Sequence, residues 1–563
     1  MKKIVVFCLL LLSLVGCAKI VLPTGGPKDT TPPVVTKEVP ANRSTLFNSK
    51  SIKISFNEFV VLNNPNKTVI VSPPFAEAPE LEIVNKSVVI HLPDSLRANT
   101  TYSIALAETI KDYTEGNPIS IYEYTFSTGS NIDSFMLKGS VSDALSLEKV
   151  KDVFVFLYKD DIDSLPLTTR PDHLTKTNGS GQFVFNNIKP GKYKIFALDD
   201  INNNLVYDLP NEKIAFSNEL VESWAMPTPA DSNRKDSVQA DVSSKSAEEH
   251  AKIELVLFTE RDTNQALLKY INTTENIYQF PYKTDFKEFS ARHLAGQELD
   301  YFQLIAPTQD TVLWYLKAAL TDTALYEFTT DQKHIDSVKI TQFKKSQKPG
   351  GNRGKKQEDE KKLNVNFDNK GNIFKPLTLR FSYPIKPTGD VPFSIIKQIK
   401  NGNDTIPQTL SIPDTFVTSL TINYPFEAKT KYTICIRDSV FFGYDGSCND
   451  SINTSFTTKT EKDYGNLLMH YHISDPSCQY VVQLLNKNKN ILQENILSQS
   501  QSIEYAHLEP GSYQVKVIKD QNNNGRWDTG MYRDKIQPES IFFFPSTINI
   551  RGYWDFEEDF ELK

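Results

Sequence analysis

The sequence is poor in the residues that most often carry chemistry: its 563 residues include 8 His, 5 Cys, 5 Met and 4 Trp. No Gly-x-Ser-x-Gly elbow, phosphate-cradling glycine loop, His-Glu-x-x-His or Cys-x-x-Cys pattern occurs. Gly179-Ser180-Gly181 reads as a turn between strands, since a nucleophile elbow needs a strand-to-helix junction. Positive charge is in deficit, 62 Lys and Arg against 69 Asp and Glu, so no global basic field exists to hold nucleic acid. Helical periodicity is missing. Past the first seventeen residues no apolar run approaches the ~20 residues of a membrane-spanning helix. The expectation is a chain that is not an enzyme.

What is present points to β structure. Phe (34) and Tyr (24) are abundant, and both favour pleated, half-buried surfaces. Apolar residues at 39% and charged residues at 23% are ordinary for folded protein, and the length calls for several domains.

Lys2 and Lys3 precede an apolar run from Ile4 to Val15, which ends in Leu14-Val15-Gly16-Cys17. That run suits a secretory signal and is too short to span a bilayer. It resembles the lipobox of bacterial lipoproteins. The resemblance implies removal of residues 1–16, lipid on Cys17, and, with Ala18 following, an outer-membrane address. No acidic export residues follow the cysteine, which favours the periplasmic face over the cell surface. Residues 17–33, rich in Pro, Gly and Thr, form a tether of about 50 Å when extended.

Internal repeats organise the rest. Ile52 to Phe56 and Leu377 to Phe381 alternate polar and apolar in the same phase. Ala98-Asn99-Thr100-Thr101-Tyr102-Ser103-Ile104 matches Ala428-Lys429-Thr430-Lys431-Tyr432-Thr433-Ile434, and Phe126-Ser127-Thr128 matches Phe456-Thr457-Thr458. With the Pro32-Pro33 opening and the Tyr124 to Thr128 strand, residues 34–130 and 364–460 resemble the bacterial immunoglobulin-like domain first recognised in S-layer proteins. The leader and domain order are similar to those of Ig-like lipoproteins of the Bacteroidota. A second repeat pairs Ile188-Lys189-Pro190-Gly191-Lys192-Tyr193 with Leu508-Glu509-Pro510-Gly511-Ser512-Tyr513. Residues 135–222 and 464–563 resemble transthyretin-like or carboxypeptidase-regulatory-like β-sandwiches, a structural and binding module. Residues 223–250 read as a linker and 344–363 as a disordered loop. Residues 251–343 form a further β domain, with an Ig-like sandwich as its candidate fold. The fold class is all-β: tandem sandwiches in an elongated array.

Within the second repeat, Asp200, Asn202, Asn204 and Asp208 recur as Asp520, Asn522, Asn524 and Asp528. Oxygens at positions 1, 3, 5 and 9 are the first ligands of a calcium loop. Leu205 replaces the glycine that Gly525 supplies, and Asn211 and Met531 stand where a bidentate Glu belongs, so Glu212, Asp534 or a carbonyl would have to complete a shell. The other reading is an Asx-rich hairpin turn. Calcium is the one cofactor the sequence brings forward. His470 and His472 share the polar face of a strand whose buried face is Leu467, Met469, Tyr471 and Ile473, and two imidazoles do not make a zinc site. Cys435 and Cys448 are a candidate disulfide in an oxidising compartment, with buried free thiols the alternative.

The favoured function is a lipid-anchored, non-catalytic scaffold or accessory subunit at the outer membrane that binds another cell-envelope protein. The alternative is a surface adhesin or carbohydrate-binding lipoprotein.

Overall fold

The computed structural model describes residues 29–562, except 107, 120–121, 227–252, 262–264, 332–334, 344–361, 414 and 416. Cys17, the tether before Asp29 and most of both linkers lie outside the described residues. The chain is all-β, with 52% strand and 2% helix among the described residues, built as tandem β-sandwiches. It divides into two compact units that part between Leu257 and Phe258.

In the first unit, strands Val35–Val39, Ser51–Phe56, Ser87–His91 and Glu80–Val84 form one sheet, in that order. Ile70–Ser72, Thr101–Ala105 and Glu123–Ser127 form another. The alternation read in the sequence sets the core: Ile52, Ile54 and Phe56 are buried while Lys53 is exposed. They join Val88, Ile90, Tyr102, Ile104, Tyr124 and Phe126 in one apolar cluster. Burying apolar area on this scale is the main favourable term in folding, at about 25 cal/mol per Å².

The next sandwich opens with Phe135–Asp143, which pairs with Gln182–Ile188 on one side. On its other side it runs parallel to residues 253–257, from Gly139 opposite Ile253 to Asp143 opposite Leu257. Leu255 and Leu257 are buried in the same core as Leu137, Val141, Phe183 and Tyr193. The expected division at 222 and 251 is therefore corrected: residues 253–257 close the preceding sandwich and do not open the next one. Trp224–Ala225, assigned by sequence to the linker, also pairs with Phe135 and Met136. Alternation identifies a strand but not its partner, and the polar stretch before Ile253 mimics a domain boundary.

In the second unit, two sheets built from Ile271–Thr274, Ile277–Pro281, Thr311–Leu316 and Tyr301–Ile305, and from Phe289–Gly296, Ala324–Thr330 and Ile335–Ile340, face each other. Between them lie Tyr278, Phe280, Val312, Trp314, Tyr326 and Phe328. Tyr301 stacks on Trp314 with ring centroids 3.8 Å apart. The following sandwich begins earlier than expected: Leu363, placed by sequence in a loop, is buried in its core, and Lys362 bridges to Cys448.

The repeat between the two Ig-like regions extends to individual hydrogen bonds. Tyr102 accepts from Arg97 N at 2.9 Å, and Tyr432 accepts from Glu427 N at 3.0 Å. Thr128 Oγ1 donates to Arg97 O at 2.7 Å, and Thr458 Oγ1 donates to Glu427 O at 2.6 Å. The last sandwich repeats the parallel closure of the second, with Asp555–Leu562 running alongside Gly465–Ile473.

Candidate functional site

The two Asp-Asn loops follow the strands Lys192–Asp199 and Gly511–Asp520. In the second loop Asp520 is fully buried, accepting from Asn524 N at 3.1 Å and Gly525 N at 2.7 Å. Asn522 Oδ1 accepts from Asn524 N, and Asn524 Oδ1 accepts from Arg526 N. Both amide nitrogens, Asn522 Nδ2 and Asn524 Nδ2, donate to Asp528. The first loop repeats this arrangement. Asp200 accepts from Asn204 N and Leu205 N, while Asn202 Nδ2 and Asn204 Nδ2 donate to Asp208 at 3.0 and 2.7 Å.

Sequence reasoning therefore placed all eight residues in two local clusters, and the structure brings each cluster together. Their chemistry is that of an Asx turn, because the side-chain oxygens at positions 1, 3 and 5 already receive backbone N–H groups. Among the described residues no group of three His, Cys, Asp or Glu is placed to hold a metal.

One residue escaped the sequence reading. Glu539, buried, accepts from Gln521 N at 2.8 Å and Asp528 N at 3.0 Å, clamping both ends of the second loop. Glu212 does the same for the first loop, through Ile201 N, Asp208 N and Leu209 N, each at 3.2 Å. The spacing hid the equivalence: Glu212 lies 11 residues beyond Ile201, and Glu539 lies 18 beyond Gln521. Burial pushes the Glu539 carboxyl above its usual range, and burial raises Asp200 likewise. Trp527, at the position of Tyr207 in the first loop, covers Val481, Ile518 and Ile541 on the outer sheet face and donates to Glu539 O at 2.9 Å, while the extra length of the second loop lies between Asp528 and Glu539.

His470 and His472 lie on the polar face as expected, with Leu467, Met469 and Tyr471 buried behind them. Each meets a carboxylate that sequence distance concealed: His470 Nε2 is 2.8 Å from Glu557, and His472 Nε2 is 2.7 Å from Asp559, on the parallel closing strand. The Asp559 hydrogen bond holds the His472 imidazole above its ordinary pKa. These are imidazole–carboxylate pairs across a ladder.

Cys435, Cys448 and Cys478 are free thiols. The candidate bridge between Cys435 and Cys448 is not formed. Cys435 sits opposite Asn453 in its ladder, whereas Cys448 lies beyond the strand end and pairs with Phe442.

A groove of about 330 Å³ runs over the second Ig-like sandwich, lined by Phe374, Tyr424, Pro425 and Phe426 together with Asn372, Lys375 and Asn423. Phe374 stacks on His507 at 3.5 Å with an interplanar angle of 2°.

Residues 29–128 match the model of the bacterial Ig-like domain. No curated protein matches the chain. Among solved structures, a fragment of Escherichia coli alpha-2-macroglobulin spanning domains MG0-NIE-MG1 is 11% identical, covering 46% of this chain and 95% of that one, with a TM-score of 0.18. BcpA, the major pilin subunit of Bacillus cereus, is 9% identical over 76% of this chain and 98% of its own, with a TM-score of 0.13. A Bacteroides ovatus protein of a mixed-linkage glucan utilization locus, SGBP-B, is 10% identical over 75% and 94%, with a TM-score of 0.17.

Proposed function

We propose that the chain is a non-catalytic β-sandwich scaffold or accessory subunit, held at the periplasmic face of the outer membrane by lipid on Cys17, that binds another cell-envelope protein. The observation that carries this reading is how polar side chains are spent within each unit: they join sandwiches to one another. In the first unit Arg170 donates to Ala76 O at 2.8 Å, Lys176 to Lys67 O at 2.9 Å and Lys189 to Asn99 O at 3.1 Å, each across a sandwich boundary. In the second unit the Tyr383 hydroxyl donates to Leu316 O, and Lys459 pairs with Glu509 at 2.8 Å. Such bonds fix composite surfaces, which suits recognition of a large partner.

Pull-down of the lipidated protein from native membranes tests the reading. A stoichiometric outer-membrane partner supports it, and repeated recovery of the chain alone overturns it. Protease shaving of intact cells reports the leaflet. The groove at Phe374, Tyr424 and Phe426 favours a second reading, carbohydrate binding at the surface, because sugar rings stack on aromatic faces; a glycan-array signal abolished by Tyr424→Ala would replace the first reading with this one.

A further inference from the structure

The second and the last sandwich repeat one another, yet they finish the outer face of one sheet differently. In the second sandwich, strands Phe154–Tyr158 and Lys192–Asp199 turn Val155, Leu157, Tyr193 and Ile195 into the core. Side chains alternate, so Phe156, Tyr158, Lys194 and Phe196 lie on the outer face. They are buried all the same. Residues 159–172, which join Phe154–Tyr158 to His173–Lys176, are tied over this face by several bonds. Lys194 pairs with Asp161 at 2.8 Å and with Asp163. The Tyr158 hydroxyl donates to Thr169 O at 2.9 Å, and Tyr207 N donates to the carbonyl of buried Pro166 at 2.7 Å.

In the last sandwich the equivalent strands, Gln479–Asn486 and Ile491–Leu497, are joined by residues 487–490 alone. That connection is a tight turn, closed by Lys489 N on Asn486 O at 2.8 Å, and it has no length to cover a sheet. On the edge strand Ile496 is 55% and Leu492 47% exposed, and Trp527 and Phe543 are half-buried. Lys516 stands where the second sandwich has Phe196. It lies opposite Gln483 and Phe543, as Phe196 lies opposite Phe156 and Phe216. Burial pushes the Lys516 ammonium below its usual pKa, and among the described residues no carboxylate pairs with it. Glu494, two strands away in the same row, accepts instead from Gln483 Nε2 at 2.7 Å. A half-buried ammonium among apolar side chains is costly until a counter-charge meets it.

We infer that this sheet face receives a segment of the bound envelope protein that joins a carboxylate to apolar side chains the size of leucine or proline, as Asp161, Asp163, Leu165 and Pro166 do in the second sandwich. The inference rests on the scaffold reading and gives the partner's contact segment its chemistry. The carboxylate neutralises Lys516, and the apolar side chains take Ile496, Trp527 and Phe543 out of water. A neutral glycan would leave the ammonium unpaired, and a free phosphate would leave the apolar surface wet.

The test uses the soluble chain beginning after Cys17 and a fluorescein-labelled peptide of residues 160–169, Asp160 to Thr169, read by fluorescence anisotropy. Saturable binding is expected, weakened about tenfold by Lys516→Gln, the scale of one hydrogen bond to a charged group. Ile496→Asp should weaken it to a similar degree. A peptide carrying Asp161→Asn and Asp163→Asn should bind wild type about tenfold more weakly and lose nothing further on Lys516→Gln, because the pair is already broken. Unchanged melting midpoints check that both chain variants keep their fold. Absence of saturable binding overturns the inference, as does an affinity that neither chain variant changes. A reversible dimer of the chain that Lys516→Gln abolishes also overturns it, since the occupant is then a second copy. Membrane pull-down separates the two claims. A partner captured equally by wild type and both variants removes this site and leaves the scaffold; peptide binding that both variants weaken, with no partner recovered, does the reverse.

Discussion

The imidazole Nδ1 of His173 lies 3.3 Å from the Ser72 hydroxyl, joining two sandwiches of the first unit through a buried ring. Leu174 N also donates to Ser72 Oγ, so the serine is held from two sides. Tyr193 meets the His173 ring edge-on at 6.1 Å. Burial is the largest influence on this imidazole and lowers its pKa to about 4; Lys159, Arg97 and Lys189 act in the same direction and Asp172 against it.

That depression has a definite sign. Above about pH 6.5 the ring is neutral in folded and unfolded chains and contributes no pH dependence. Between about 6.5 and 4 the unfolded chain takes a proton that the folded one refuses, so stability falls as pH falls and levels off below the folded pKa. The loss amounts to about 3 kcal/mol at most. Urea unfolding of wild type and His173→Gln from pH 7.5 to 4 should show the variant with a visibly shallower decline. Parallel slopes would remove His173 as the cause.

Leu205 adopts φ 64, where its counterpart Gly525 adopts φ 79. A leucine there carries a steric penalty of roughly 1–2 kcal/mol that glycine avoids. Leu205→Gly is expected to raise stability by about 1 kcal/mol, and Gly525→Ala to lower it by a similar amount. Thermal melts of the two variants should move in opposite directions.

Asp520 caps Asn524 N and Gly525 N from a fully buried position. Asp520→Ala strips both partners and should cost about 2–4 kcal/mol. Because the loop oxygens are engaged within the turn, melts in calcium and in chelator should coincide for wild type. A calcium-dependent rise that vanishes in Asp520→Ala would decide for the calcium reading.

Thiol titration in denaturant, without reductant, should count three thiols in a form beginning after Cys17, matching Cys435, Cys448 and Cys478. A count of one would mean that a bridge forms.

Gly139 tests the closing strand directly. A Cβ there would sit 2.3 Å from Ile253 O and 2.5 Å from the Phe183 ring. Overpacking of this kind costs about 1–3 kcal/mol or more, so Gly139→Ala should lower the first unit's melting midpoint clearly. An unchanged midpoint would argue against the docking of residues 253–257.

Much of this architecture is legible in one dimension because side-chain alternation and turn chemistry are local. The Ile52 to Phe56 strand, the matched Tyr102 and Tyr432, and both Asp-Asn turns depend on residues a few positions apart, whose period and hydrogen-bonding capacity set their conformation. Tertiary structure alone decided which distant groups meet. It brought Ile253 beside Gly139, Glu557 to His470, Glu539 across the second loop and the Tyr383 hydroxyl to Leu316 O. It also kept Cys435 from Cys448. Strand order and register are settled by how whole sheets bury their apolar faces against one another. That balance is summed over many residues of a unit, so no short stretch of sequence contains it.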